Sequence, residues 1–372
     1  MAAPPLRQWL VPFDSTDEFD GMFVVNRSRA PESVPRLPVL RLSSSAQPAG
    51  EQTAITASSL AAPNLARAFD DGDVIWLDSR RKLARSILSR RANANTLLVT
   101  ERCDNRCNFC SQPPNDLPDV ALYRDATIAL LNFGTDEYVG ISGGEPTLNR
   151  PAFLSLLQNL EDFACPTKLH VLSNGRSFAD ECFAGKVSAA AGTRTVLWGI
   201  PLYGHRSSLH DALVGQPDAF AETVTGLLNI CSRGFNVELR VIPTQQNIAH
   251  LPAIVRFVVS SFPGIGLISV MNIEPKGWAR ANYAKLYVPV RDQNASLMAA
   301  VEVADSARRH IRLFNYPLCL LTEELRPFCV RSISDWKNYY PQECADCRLL
   351  SECGGFFSSA SGLFREAVEV QE

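Results

Sequence analysis

The stretch TERCDNRCNFCSQPP (Thr100–Pro114) sets Cys103, Cys107 and Cys110 within eight residues, in the spacing C-x3-C-x2-C. Three is an odd count, because a structural zinc site takes four ligands and a disulfide takes two. Three thiolates can instead hold three irons of a [4Fe-4S] cube, which leaves the fourth iron open to a ligand from outside the protein.

Outward from this loop the texture is regular. An apolar run, TLLVT (96–100), leads into it, and a second, EYVGIS (137–142), runs into GGEP (143–146). A third, KLHVLS (168–173), ends in SNGR (173–176), and TVLWGIPL (195–202), NVELRVI (236–242) and GLISVM (266–271) follow. Helix-like segments lie between them around 119–132, 151–162, 178–191, 217–232 and 249–260, with another near 291–309. Apolar runs alternating with amphipathic stretches signal βα units and a parallel sheet. Right-handed crossovers allow six such units to form an open doubly wound sheet or a partial barrel, and periodicity admits both. In either, ligands bind beyond the C-terminal strand ends, and the cysteine loop, GGEP and SNGR all fall on that rim.

Residues 1–92 read as a small β-rich extension, with strand candidates GMFVVN (21–26), PVLRLS (38–43) and DVIWLD (73–78) between Pro- and Ser-rich pieces such as RLSSSAQPAGEQ (41–52). Within it, SRRKLARSILSRR (79–91) places Leu83, Ala84, Ile87 and Leu88 at helical spacing among six basic side chains, which predicts a solvated amphipathic helix packed on a core, with a nucleic-acid or peptide-binding face as the alternative. A βα core over 93–314 follows, and the pattern is expected to stop near residue 315, where a cysteine-rich module over 315–372 begins.

Composition bounds the function. Apolar residues make up 46% and charged residues 20%, as in ordinary globular proteins. A net charge of -3 and a pI near 6.0 advertise neither nucleic acid nor an anionic membrane as partner. The N-terminus MAAPPLRQWLVPFDSTDEFDG lacks a basic start with a long apolar run, and no later run approaches the ~20 residues of a membrane span. A cytoplasmic location is expected. In a reducing compartment eleven cysteines are metal ligands, catalytic groups or buried thiols rather than disulfides.

CDNRCNFC resembles the C-x3-C-x-aromatic-C signature of the radical S-adenosylmethionine (SAM) enzymes, with Phe109 in the aromatic place. ISGGEPTL (141–148) resembles the family's GGEP motif, and LSNGR (172–176) the ending of its third strand. The resemblance implies an α/β fold with a partial (βα)6 TIM-like barrel. It also implies that Cys103, Cys107 and Cys110 hold a [4Fe-4S] cluster whose open iron chelates SAM, which the reduced cluster cleaves to a 5'-deoxyadenosyl radical. Gly143, Gly144 and Glu145 would then receive the SAM amino group, with Ser173 and Asn174 near SAM. In GIPLYG (199–204), Ile200 and Pro201 stand where many members place polar residues against the ribose, so no ribose-binding residue follows. HDALVGQPDAF (210–220) resembles a segment common after this strand, and His210 reads as a capping or packing residue. Arg240 is an inward charge if Val237, Leu239 and Val241 face the helices, and it then requires a carboxylate partner, either SAM's methionine carboxylate or a structural salt bridge.

YPLCLLTEELRPFC (316–329) carries Cys319 and Cys329, and PQECADCRLLSECGGFF (341–357) carries Cys344, Cys347 and Cys353. The C-x2-C-x5-C spacing resembles the SPASM or twitch extensions of peptide-modifying radical SAM enzymes. These imply an auxiliary [4Fe-4S] cluster, with Cys319 completing the set and Cys329 as the alternative fourth ligand; a zinc knot is the competing reading. Cys165, Cys182 and Cys231 read as buried apolar residues. LLVTERCDNRCNFCSQPP (97–114), IEPKGWARAN (273–282) and SISDWKNYYPQECADCRLLSECGGFFSS (332–359) look closest to the HxsC group of His-Xaa-Ser system maturases. That likeness implies a precursor-peptide substrate, a second radical SAM maturase as partner, and an electron donor such as flavodoxin or ferredoxin. A radical SAM enzyme acting on a protein side chain or small molecule is the nearer alternative. A zinc-stabilised binding module and a thiol-disulfide oxidoreductase using Cys107 and Cys110 are the alternatives from other classes.

Overall fold

The computed structural model describes residues 10–12, 21–25, 39–43, 57–61, 63–331, 337–360 and 366–371. Most of RLSSSAQPAGEQ and the first five residues of SISDWKNYY lie outside them. The described N-terminal residues form a six-stranded sheet in the order β1 (Leu10–Pro12), β6 (Leu83–Leu88), β5 (Val74–Asp78), β2 (Gly21–Val25), β3 (Val39–Ser43), β4 (Ala57–Ala61). Helix α1 (Pro63–Ala68) packs beside it.

The helix expected over SRRKLARSILSRR is a strand. Lys82 takes a left-handed φ of 51°, the chain reverses, and β6 pairs antiparallel with β5 from Asp78↔Leu83 to Val74↔Leu88. Ala84 and Leu88 are fully buried while Arg85 between them is exposed. The helical spacing of the apolar residues loses to the backbone bonds and packing supplied by β5, a tertiary term that local propensity does not contain. The basic residues disperse: Arg91 pairs with Asp70, and the Arg90 guanidinium lies 4.1 Å over the Phe133 ring.

The main sheet is parallel throughout, with eight described strands in chain order: β7 (Asn95–Thr100), β8 (Tyr138–Gly143), β9 (Lys168–Leu172), β10 (Val196–Pro201), β11 (Asn236–Val241), β12 (Leu267–Met271), β13 (His310–Phe314) and β14 (Cys329–Val330). A doubly wound sheet reverses its order at a switch point. This one never does, so the six βα units form a partial barrel with β7 and β14 at its edges among the described strands. The pattern also runs past residue 315, because β14 joins the sheet from within the cysteine-rich segment.

Helices α2 (Val120–Phe133), α3 (Arg150–Asp162), α4 (Glu181–Ala191), α5 (Ser207–Val214), α6 (Ala219–Cys231), α7 (Leu251–Ser261), α8 (Gly277–Ala281), α9 (Tyr283–Leu286) and α10 (Val290–Ser306) follow β7 to β12. Their apolar stripes share one core with one face of the sheet, including Val99, Ile141, Val171, Trp198, Leu239 and Val270. The period of two leaves the other face to Thr96, Gly140, His170, Gly199, Glu238, Arg240, Ser269 and Arg312 together with Leu98, Leu172, Leu197, Leu267 and Met271, a lumen of mixed polarity. Past the last parallel strand, β15 (Asn338–Tyr339) and β16 (Phe356–Phe357) make a small antiparallel pair. No described helix is long and apolar enough to cross a membrane.

Among the described residues Trp198 is the largest fully buried side chain, with Phe178 edge-on at 4.7 Å, Phe153 at 5.9 Å and Phe235 at 6.0 Å. Trp198→Ala should cost about 3–5 kcal/mol of stability, read as a lower denaturant midpoint. A loss under ~1 kcal/mol would contradict this packing.

Candidate metal and cofactor centre

The cysteine loop leaves β7 and is held by backbone from several sides. Gly144 N donates to Thr100 O (2.9 Å) and Glu145 N to Arg102 O (2.7 Å), so GGEP is sewn to the start of the loop. A Cβ at Gly144 would overlap the Arg102 carbonyl, which makes glycine obligatory there. Arg106 N and Asn108 N donate to Val214 O (2.8 Å) and Leu213 O (3.2 Å) at the end of α5. Trp278 N donates to Cys110 O (2.8 Å) and Asn282 Nδ2 to Asn108 O (2.8 Å), so the segment after β12 closes the far side. Gly277, at φ 57°, allows that approach, since a Cβ would stand 2.6 Å from Cys110 O. The likeness in IEPKGWARAN assigns no such role; the glycine at the start of α8, soon after the end of β12, is the one local signal for it.

Glu145 is fully buried. Its Oε1 accepts from Thr147 N (2.8 Å), Thr147 Oγ1 (2.5 Å) and Ser173 Oγ (2.8 Å), and its Oε2 from Asn174 N (2.5 Å). Only Oε2 keeps acceptor capacity. Burial pushes this carboxyl upward, and the donors from Thr147 and Asn174 pull against it. Asn174 Nδ2 donates to Asp104 Oδ1 (2.6 Å), so the end of β9 also reaches the cysteine loop.

Burial pushes the Cys103 thiol strongly up, with Glu145 adding to it; burial and the neighbouring Cys110 push Cys107 up to about 12, and burial raises Cys110. Three such thiols become thiolates when a metal supplies positive charge. Asn105 N already donates to Cys103 Sγ (3.4 Å). Phe109 is 5% exposed and meets Tyr203 edge-on at 4.7 Å, so it anchors the loop in a core with Leu213, Ile273 and Ala279.

On the lumen face, Arg240 Nη2 donates to Met271 Sδ (2.8 Å), a weak acceptor, and the ion pairs within 4.0 Å among described residues do not include Arg240. The structural salt bridge that the sequence allowed for Arg240 is therefore not formed. Glu238, two residues earlier and buried, lies 2.8 Å from His170 Nε2 across β10, out of hydrogen-bond alignment. Burial raises the Glu238 carboxyl, but His170, Arg240 and Ser269 outweigh it and hold it below its ordinary value. Gly199 on the intervening strand makes room: a Cβ there would stand 2.7 Å from Leu172 Cδ2 and 3.1 Å from His170 Nε2. Sequence reading missed this pair, although His170 and Glu238 interrupt apolar strands in the phase of Arg240. Ile200 is fully buried toward the helices.

His210 accepts from Tyr203 N at Nδ1 (3.1 Å) and stacks on Tyr203 at 5.8 Å, a packing role. Burial, then the Arg176 charge, push it down to about 4 from 6.5. The unfolded chain binds its proton first as pH falls. Stability is therefore full above pH 6.5, drops by up to roughly 3 kcal/mol toward pH 4 and then levels. His210→Gln should flatten that part of the stability–pH curve, and an unchanged slope would refute the assignment.

In the C-terminal segment, burial and the charges of Cys319, Cys353 and Cys347 push Cys344 up to about 11, so these four sulfurs sense one another. Cys353 Sγ accepts from Leu318 N (3.4 Å) and Gly355 N (3.3 Å), the kind of amide-to-sulfur bond that surrounds cluster ligands. Cys329 has only Cys353 among its cysteine influences, and its Sγ faces Leu325 O (3.6 Å). Cys165 is buried and Cys231 half-buried, but Cys182 is exposed, because it falls on the outer side of the first turn of α4. Among the described residues no three Cys, His, Asp or Glu side chains converge on one point as a single metal ion requires. A cube asks for no such convergence, since each thiolate binds a different iron, and the donor chemistry of both cysteine groups fits one.

No family model matches the chain, and no curated protein matches it. Among solved structures, SuiB of Streptococcus suis bound to S-adenosylmethionine is 18% identical at a TM-score of 0.44, covering 59% of this chain and 49% of that one. The structure of anSMEcpe with bound AdoMet and Cp18Cys peptide is 16% identical at 0.46, covering 58% and 63%. TsrM of Kitasatospora setae, a radical S-adenosylmethionine methyltransferase with cobalamin and [4Fe-4S] cluster bound, is 17% identical at 0.39, covering 49% and 34%. The matched part thus spans less than two thirds of each, and at these identities and TM-scores the likeness transfers no activity.

Proposed function

We propose that the chain is a radical SAM enzyme that modifies a ribosomally made precursor peptide, of the kind bearing His-Xaa-Ser repeats. The observation that carries the reading is the placement of three half-buried thiols on one rim loop, sewn by backbone to GGEP at the neighbouring strand end. Cys103, Cys107 and Cys110 would hold a [4Fe-4S] cluster, and Cys319, Cys344, Cys347 and Cys353 an auxiliary one. When bound, the first cluster and SAM supply one-electron cleavage to methionine and a 5'-deoxyadenosyl radical that takes a hydrogen atom from the peptide. The electron comes from a donor such as flavodoxin or ferredoxin.

The chain's own residues bind and orient. Gly143 and Gly144 bring backbone close to the ligand without side chains, and Glu145 Oε2 retains acceptor capacity toward an ammonium group. Ser173 and Asn174 orient that carboxylate. Arg240, at the C-terminal end of β11 with the Met271 thioether as its hydrogen-bond acceptor among the described residues, suits the methionine carboxylate of SAM. With substrate bound, the partial barrel would help to shield the reacting atoms from water. Support for the peptide type lies in the sequence likeness of SQPP and the C-terminal cysteines.

Anaerobic incubation of reconstituted protein with SAM and dithionite should release 5'-deoxyadenosine from the wild type and not from Cys107→Ala. Equal release from both, or none from the wild type, sinks the radical reading. Arg240→Gln should weaken SAM binding by about 10- to 100-fold, the worth of one charge-assisted hydrogen bond, in an equilibrium titration. Unchanged affinity would remove Arg240 from the site.

A further inference from the structure

We infer that Arg176 is a positioning residue that fixes the backbone between Cys103 and Cys107 and thereby the loop's capacity to hold its cluster. The nature of the bound group rests on the proposal above; the ordering of the loop does not. Arg176 opens the turn after β9, and its side chain is 13% exposed. Its Nη1 donates to Asp104 O (3.0 Å) and Asn105 Oδ1 (2.8 Å) and lies 3.2 Å from Asp104 Oδ2. Its Nε donates to Glu222 Oε2 (2.6 Å) in the first turn of α6.

The guanidinium therefore links the cysteine loop to a helix, using two edges of one rigid plane. The ring of bonds closes through Asn174, whose Oδ1 accepts from Arg176 N (2.9 Å) while its Nδ2 holds the other Asp104 oxygen. Asn105 is 5% exposed, so its Oδ1 depends on Arg176, and the same residue's amide donates to Cys103 Sγ. Order passes from Glu222 through Arg176 and Asn105 to a sulfur. A lysine ammonium at this position keeps the charge but lacks the planar fork that serves two partners at once.

The test compares Arg176→Gln, Arg176→Lys and Glu222→Gln with wild type in two measurements. Hydrogen exchange of the metal-free protein reads the amides of residues 103–108, and iron is counted after anaerobic reconstitution. Arg176→Gln should exchange there about tenfold faster or more, as expected for a buried acceptor left unpaired. It should also lose the share of iron that Cys107→Ala loses. Arg176→Lys should behave like Arg176→Gln, and Glu222→Gln should fall between it and wild type. Wild-type protection and iron in Arg176→Gln, or full rescue by lysine, overturns the inference. Should Arg176→Gln fail to fold, Glu222→Gln, at a half-exposed position, decides: wild-type exchange there overturns it. A wild type that takes up no iron sinks the radical reading instead, while the exchange arm still tests the positioning role.

Discussion

The centre depends on one close approach, where the backbone of GGEP runs against the first turn of the cysteine loop. Two amide-to-carbonyl bonds, from Gly144 to Thr100 and from Glu145 to Arg102, join neighbouring strand ends at a distance that excludes any side chain at residue 144. Because β7 and β8 are adjacent and parallel, their exits lie side by side, and the two motifs are forced into contact whatever else the rim does. Everything later in the chain that touches the loop does so on terms set by this seam. The end of α5 takes its middle, the turn after β12 takes Cys110, and the turn after β9 takes Asp104 and Asn105.

The lumen carries the second constraint. A parallel strand covered by helices buries one face completely, and the opposite face of these strands mixes charged and polar side chains with Leu98, Leu172, Leu197, Leu267 and Met271. Charge inside is costly unless it is balanced, and the balance here spans three strands: His170 on β9, Glu238 and Arg240 on β11, with glycine at the crossing position on β10. Glu238 lies 2.8 Å from the His170 ring nitrogen and feels the Arg240 charge without forming an ion pair to it among the described residues.

The cysteine-rich segment is not merely appended. Through β14 it lends the barrel its last strand, and Cys353 receives an amide from Leu318, just beyond β13. A bound group at the C-terminal cysteines would thus sit against the sheet that carries the first centre.

Reading residues in order gave the six βα units, the rim that carries the cysteine loop, GGEP and SNGR, and the side of β11 on which Arg240 lies. These are legible because they are local: strand period, helix period and motif spacing are written in consecutive residues. Two things were not. SRRKLARSILSRR is helical in spacing and becomes β6, because a pairing partner in β5 outweighs a weak local preference. Whether the sheet is doubly wound or barrel-like, and which polar side chains meet across it, depends on which strands become neighbours. His170 and Glu238 lie far apart in sequence, and only strand order, with Gly199 leaving the crossing open, makes them a pair.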